Sequence, residues 1–305
     1  MKDNKTRLLL NGKKAGLKEV RDAIAAVRQS YPELEVRVTY EAGDIQRLLR
    51  EAIAEGVGRI IAGGGDGTVN EVADAWINFA NDEDSQYELE VGIFPLGTAN
   101  DFARACDIPL DLTEALTLAV SGNSVAVDVG KANERYFINV ASGGFGAEVT
   151  VDTPVELKNF LGGGAYTLTG LVKAVGFTPY TGTLTTQKGS FPGAMIVGAI
   201  CNGRQAGGGQ VLAPQAVIND GLLDVMMIAN FAAENLAQVI REIKNLSPEG
   251  EFATLIQEPW VEIESEQKII PFNLDGEPYR AKKIRFEALP SAIKLVLPES
   301  CPLLG

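Results

Sequence analysis

A chain of 305 residues, 46% of them hydrophobic, can bury one large core or two modest ones, and at about 100–200 residues per domain two is the expectation. The formal net charge of -13 argues against nucleic acid, which demands clustered Lys and Arg, and against steady residence on an anionic membrane, leaving room for a transient visit. Histidine is absent, which excludes Ser-His and Cys-His nucleophilic machinery and leaves carboxylates for acid and base work.

The chain opens on the polar residues Met1 to Lys5 with no signal-peptide pattern, and no apolar run approaches the roughly 20 residues of a membrane span, so a cytoplasmic protein is expected. Cys106, Cys201 and Cys301 are far apart and form no CxxC pair, so neither a disulfide framework nor a zinc site is expected.

Arg7 to Asn11 reads as a short apolar strand, Leu17 to Gln29 as a helix, Leu34 to Tyr40 as an alternating strand and Ile45 to Ala54 as a second helix. Val57 to Ala62 is a buried-strand run, Val69 to Phe79 a helix, Val91 to Phe94 a strand, and Thr98 to Ala105 and Leu112 to Val120 two further helices. This alternation implies an α/β domain with an open parallel sheet, whose ligands bind beyond the carboxyl ends of its strands. Both Asn11-Gly12-Lys13 and the stretch Gly63-Gly64-Gly65-Asp66-Gly67-Thr68 lie at such ends.

From about Val125 the period changes. Short strand-like segments follow at Val125 to Val129, Arg135 to Val140, Thr183 to Gln187, Ala194 to Cys201, Leu222 to Ile228, Trp260 to Ile263, Lys283 to Phe286 and Ala292 to Leu297, separated by glycine and turn signals. Two helical patches, Tyr166 to Val175 and Glu234 to Lys244, interrupt this β-rich second half.

Consecutive glycines between a strand and a helix present unpaired backbone N–H groups and the positive end of a helix dipole, which suits a phosphate. The Lys-Ser/Thr pair of a Walker A loop is missing, and Asp66 is an unexpected neighbour for a phosphate. Two readings stand: Asp66 or Thr68 caps the following helix together with Glu71, or Asp66 lies beside a nucleotide whose cation or hydroxyl groups offset the repulsion.

Gly64-Gly65-Asp66-Gly67-Thr68 resembles the nucleotide loop of the diacylglycerol kinase, sphingosine kinase and NAD kinase superfamily. Four more stretches narrow the resemblance: Pro95 to Ala103 (PLGTANDFA), Asn202 to Gly209 (NGRQAGGG), Asp220 to Asp224 (DGLLD) and Asn273 to Pro278 (NLDGEP). Together they resemble the bacterial YegS-like lipid kinases over nearly the whole chain. The resemblance implies a nucleotide-binding α/β domain over 1–124, to which a tail from about 295 to 305 returns, and a β-sandwich over 125–294.

It further implies that ATP contacts Thr39, Gly65, Asp66, Gly67, Thr68, Val69, Asn70, Glu71 and Thr98. It implies that a magnesium or calcium ion is held by Asp220 and by the carbonyls of Val217 and Leu222, and that Glu277 accepts the proton of a lipid hydroxyl. The residues alone permit plainer readings: an Asn-Asp-Gly turn at Asp220, a helix N-cap at Thr98, and a hairpin at Asp275-Gly276 with a solvated Glu277 beside it. Asp275 is an alternative base, one that its turn would be expected to consume. Asp101 and Arg204 are lesser candidates, for orienting the hydroxyl or metal and for holding a lipid phosphate. The implied function is an ATP-dependent kinase of a lipid such as phosphatidylglycerol or diacylglycerol, met transiently at a membrane surface. The competing expectations are an NAD kinase-like phosphotransferase and a non-catalytic nucleotide-binding module.

Overall fold

The computed structural model describes residues 5–82, 87–144, 178–266 and 269–305, so the expected helix at Tyr166 to Val175 lies outside the described residues. The chain divides into two compact units, one formed by Met1–Asp128 with Pro290–Leu304, the other by Val129–Leu289 with Gly305.

The first unit alternates strand and helix: β1 (Lys5–Asn11), α1 (Gly12–Ala15), α2 (Lys18–Ser30), β2 (Glu35–Thr39), α3 (Asp44–Ala54), β3 (Val57–Gly64), α4 (Asp66–Asp82), β4 (Glu90–Pro95), α5 (Asp101–Ala105) and α6 (Leu112–Ser121). β2, β1, β3 and β4 pair side by side in parallel, and Lys294 and Leu295 add a further parallel pairing beside Glu90 and Val91. The helices dock because their apolar residues recur on one face: Val20, Ala23, Ile24 and Val27 of α2 are buried, as are Ile45, Leu48, Leu49 and Ala52 of α3. α2 and α6 pack with Leu8, Leu10, Ile61 and Phe94 of the sheet into one core.

The second unit is antiparallel. It contains the end of β5 (Ser124–Ala132), then β6 (Arg135–Phe137), β7 (Val140–Gly144), β8 (Tyr180–Thr186), β9 (Gly189–Cys201), β10 (Gln205–Ala206), β11 (Gln210–Val211), β12 (Leu223–Ala229), α7 (Leu236–Lys244), β13 (Ala253–Glu258), β14 (Trp260–Ser265), β15 (Ile270–Leu274), β16 (Glu277–Ala281) and the start of β17 (Lys283–Val296). The strands follow the order β16, β15, β7, β9, β8, β14, β17, while β12 pairs with both β9 and β13. One core gathers around Phe137, Phe272 and Phe286, whose rings meet edge to face, and a second lies between α7 and the β12 side. Cys106, Cys201 and Cys301 are buried free thiols.

Several expected elements change on folding. The segment Arg135 to Val140 is two strands, because the backbone N–H groups of residues 138–140 bond to a distant carboxylate, that of Asp275. The two segments expected at Lys283 to Phe286 and Ala292 to Leu297 are one strand, which passes through Ser291 at φ 54° with its N–H bonded to Asp128. The helix expected from Thr98 begins only at Asp101, since Asn100 adopts a left-handed φ of 50°. β13 was not legible in the alternation at all.

Candidate active site

The glycines of the first unit are needed where two loops cross. Gly63 packs against β1, where an added Cβ would stand 2.8 Å from Leu8 Cδ1, and at Gly64 a Cβ would strike the Thr68 hydroxyl at 2.2 Å. The loops after β3 and β4 touch through Gly65 and Gly97, where a Cβ on Gly97 would lie 2.6 Å from Gly65 Cα. The Leu96 N–H donates to the Gly64 carbonyl at 2.8 Å, joining the same two loops. Gly67 differs: it lies exposed in the first turn of α4, and a Cβ there would meet nothing within 4 Å. Packing within the chain therefore accounts for Gly63, Gly64, Gly65 and Gly97, and does not account for Gly67.

Asp66 is the first residue of α4, and its carboxylate accepts hydrogen bonds from the backbone N–H groups of Asp101 at 3.1 Å and Phe102 at 3.0 Å. These are first-turn donors of α5 that have no partner within their own helix. The capping expectation is thus corrected in its target: Asp66 caps the helix of the neighbouring loop. Thr98 is no N-cap either, because Asn100 occupies that position and uses its side chain to close the loop, accepting from Gly97 N–H at 2.8 Å and donating to the Gly97 carbonyl at 3.0 Å.

Thr98 is exposed beside a depression of about 320 Å³ bordered by Lys14, Asn100 and Arg104. Val69 and Asn70 are buried and face inward, while Glu71 is half-buried. Thr39 ends β2, opposite Asn11 of β1. The turn after it is held by Asp44, whose carboxylate accepts from the N–H groups of Tyr40 and Glu41 at 2.7 and 3.2 Å. The Tyr40 N–H, the Arg47 guanidinium and the Glu41 N–H hold the Asp44 carboxyl down at about 2. Thr39, the glycine loop and Thr98 all lie at the carboxyl ends of strands of one parallel sheet, the edge at which such folds bind ligands.

In the second unit β15 and β16 form the expected hairpin. Asp275 and Gly276 have φ of 48° and 101°, the two positive values of a type I′ turn. Asn273, not Asp275, serves the turn: its Oδ1 accepts from the Gly276 N–H at 2.7 Å. The Asp275 carboxylate accepts from Ile138 N–H at 2.6 Å, Asn139 N–H at 3.0 Å and Val140 N–H at 2.7 Å. That occupancy corrects the notion of Asp275 as a base consumed by its own turn; it is consumed by the start of β7. Asn139 extends the knot, its carbonyl accepting from Asn202 and Gly203 N–H and its amide donating to Gln205. Glu277, directly after the turn, is exposed, and its carboxylate has no hydrogen bond or ion pair among the described residues.

Asp220 is exposed in a turn that continues through Gly221 at φ 75°, and its Oδ1 accepts from the Leu222 N–H at 2.9 Å. The neighbouring Asn219 accepts from the N–H of the last residue, Gly305, at 3.0 Å. Asp224 lies buried opposite Cys201, and burial, with the Asp220 charge adding to it, pushes its carboxyl up to about 6. Burial likewise drives the Cys201 thiol well above its usual range, with the charges of Asp224 and Asp275 acting in the same direction. Arg204 is half-buried, and its Nε donates to the Ala216 carbonyl at 2.9 Å, holding the loop before the Asp220 turn. Among the described residues no group of three or more His, Cys, Asp or Glu side chains converges as a metal site. The same residues contain no helix long and apolar enough to cross a membrane.

Comparison with known proteins finds relatives for both units. Residues 5–132 match the family described as "Diacylglycerol kinase catalytic domain", and residues 140–297 match "YegS C-terminal NAD kinase beta sandwich-like domain". A protein of Shewanella frigidimarina named "Probable lipid kinase YegS-like" is 51% identical over 98% of this chain and 95% of its own. One of the same name from Chromohalobacter salexigens is 47% identical over 99% and 96%. The crystal structure of a diacylglycerol kinase from Bacillus anthracis str. Sterne shares the fold, with a TM-score of 0.76 at 23% identity over 98% of this chain and 99% of that one. The chain belongs to the YegS-like lipid kinases, phosphotransferases that act on a hydroxyl, with a diacylglycerol kinase catalytic domain followed by a β-sandwich domain. Of the three readings open in the sequence, the lipid kinase is the one its relatives carry.

Proposed function

We propose that the chain transfers the γ-phosphate of ATP to a hydroxyl of a glycerolipid, phosphatidylglycerol or diacylglycerol, met transiently at a membrane surface from the cytoplasm. The observation that carries the reading is Glu277: an exposed carboxylate with no partner among the described residues, set on a hairpin whose turn is pinned by three backbone hydrogen bonds to Asp275. Phosphoryl transfer asks for alignment, charge neutralisation and one positioned base. Glu277 takes the hydroxyl proton, the freed oxygen bonds to the γ-phosphorus, and the bond to the ADP leaving oxygen breaks.

In this reading ATP lies along the carboxyl edge of the first unit's sheet, against Thr39, Gly65, Asp66, Gly67, Thr68, Val69, Asn70, Glu71 and Thr98. Asp66 acts there by holding the Thr98 loop in place, and the buried Val69 and Asn70 contribute backbone. The bare surface at Gly67 supports a ligand that approaches closely, because a glycine in a helix otherwise costs about 1 kcal/mol relative to alanine.

A Mg²⁺ or Ca²⁺ ion fits the second unit's turn, held by Asp220 and the carbonyls of Val217 and Leu222. The donor set is hard oxygen, with the exposed Asp220 carboxylate in a turn that continues through Gly221 at φ 75°. The ion supplies charge compensation when bound.

The pure protein, labelled ATP, magnesium and a panel of lipids in mixed micelles test the reading. The parent protein should label a glycerolipid, and Glu277→Gln should keep its fold and nucleotide binding while labelling none. Undiminished turnover in Glu277→Gln rejects the base. Label on no lipid with the parent protein rejects the substrate class.

A further inference from the structure

One large aromatic of the first unit is left in water. Tyr40 is 86% exposed, the highest value among the exposed large hydrophobic side chains of the described residues. A lone apolar residue on a protein surface is ordinary, and exposure by itself signifies nothing. The position of Tyr40 is what distinguishes it.

The sheet runs β2, β1, β3, β4, and the chain leaves β1 toward β2 but leaves β3 toward β4. The connections diverge between β1 and β3, so the carboxyl ends of those two strands border the crevice in which such a sheet receives its ligand. Tyr40 follows directly on Thr39, the last residue of β2, which stands opposite Asn11 at the end of β1. Its ring edge lies against Gly12, the first residue of α1: a Cβ there would stand 3.4 Å from Tyr40 Cδ1 and would collide with the Thr39 carbonyl at 2.4 Å. The glycine thus lets the end of β2 close in on the residue after β1. The Tyr40 N–H donates to the Asp44 carboxylate at 2.7 Å, which fixes the backbone that carries the ring. The residues that follow the other three strands, Gly12-Lys13, Gly65-Asp66 and Leu96-Gly97, are not aromatic.

A ring with a fixed root and an open face is a platform for a planar ligand. In the proposed reading that ligand is the base of ATP, whose phosphates lie against the glycine loop after β3. β2 lies two strand spacings from β3, about 10 Å, a separation that the sugar and phosphates of a nucleoside triphosphate bridge. Every base offers a π-face to an aromatic ring, so such a platform accepts all of them and favours the larger purines through stacking strength.

We infer that Tyr40 is the residue on which the base of the nucleotide stacks, and that it sets the preference of the enzyme for purine over pyrimidine triphosphates. The inference rests on the proposed ATP reading and adds to it the residue that holds the base.

Calorimetric titration of the parent protein, Tyr40→Ala and Tyr40→Phe with ATP, CTP and inorganic tripolyphosphate, each with magnesium, tests it. Tripolyphosphate carries the anionic chain without a base. The parent protein should bind ATP more tightly than CTP. In Tyr40→Ala the Kd for ATP should rise roughly tenfold, the gap between ATP and CTP should narrow, and the Kd for tripolyphosphate should not move. Tyr40→Phe keeps the ring and should bind ATP as the parent protein does. The side chain is exposed and supports no core, so all three proteins should share one thermal midpoint.

Unchanged ATP affinity in Tyr40→Ala overturns the inference, and so does an equal loss for ATP and tripolyphosphate, which would make the residue a general support of the site. A loss in Tyr40→Phe as large as that in Tyr40→Ala assigns the effect to the hydroxyl and overturns stacking. Weakened binding to phosphatidylglycerol vesicles in Tyr40→Ala, with ATP affinity intact, gives the ring to the lipid surface and overturns it equally. A parent protein that binds neither ATP nor tripolyphosphate rejects the proposed nucleotide site itself, and the stacking role falls with it.

Discussion

The carboxylate of Asp66 caps the helix that contains Phe102, accepting from Phe102 N–H at 3.0 Å and from the adjoining Asp101 N–H at 3.1 Å. The aspartate of the glycine loop is thereby explained without a phosphate: it fastens the loop after β3 to the loop after β4. Asp66→Ala leaves two helix-end donors without their acceptor and should destabilise the protein by about 1–3 kcal/mol. Denaturant unfolding measures this, and hydrogen exchange should quicken at residues 101 and 102 before it does elsewhere. Unchanged exchange at those two amides rejects the bracing role.

Gly67→Ala separates folding from ligand binding. The chain offers no obstacle to the added methyl, and alanine is favoured over glycine in a helix by roughly 0.5–1 kcal/mol. The variant should therefore melt at or above the parent temperature while binding ATP more weakly, as read by calorimetric titration. Unaltered ATP affinity removes this residue from the nucleotide site.

Asp275 carries the hairpin of Glu277. Asp275→Ala orphans three N–H groups at residues 138–140, and a loss on the order of 3 kcal/mol is expected. Glu277 then loses its fixed support, so the kcat of the surviving folded fraction should fall while KM for ATP holds. Equal stability of Asp275→Ala and the parent protein contradicts the anchoring role.

Chelation tests the Asp220 turn. If a divalent ion is held there, EDTA lowers the thermal midpoint of the parent protein and leaves that of Asp220→Asn unmoved, because ion binding stabilises the state that holds it. Equal shifts in both proteins place the ion elsewhere.

Asp44 predicts a dependence on acid. Its folded pKa of about 2 lies below the usual carboxylate value of about 3.9, so its contribution is present above pH 4 and is lost as pH falls toward 2. Asp44→Asn should melt below the parent protein at pH 7, with the gap closing between pH 4 and pH 2. A gap that does not change with pH would mean that the hydrogen bonds to Tyr40 and Glu41, and not the charge, carry the effect.

Much of this was legible in the residues. Periodicity located β1, α2, β2, α3, β3 and β4 to within a few residues, because each buries one apolar face and that face repeats at 3.6 or 2 residues. Asp275-Gly276 announced its hairpin, since few dipeptides accept two positive φ values in succession. The motifs also brought the family into view, by their order along the chain.

Partners distant in sequence were not legible. Nothing in the stretch Arg135 to Val140 shows that its N–H groups will bond to Asp275, 135 or more residues away. Likewise nothing beside Asp66 shows that its acceptors serve Asp101 and Phe102. Local sequence determined the elements, the turn chemistry and the residues able to do chemistry. Tertiary structure decided which carboxylates are spent on backbone donors, as Asp66 and Asp275 are, and which remain exposed, as Glu277 does. The physical reason is that an acceptor is claimed by whichever donors the fold brings within 3 Å, and that proximity is a property of packed elements, not of neighbours along the chain.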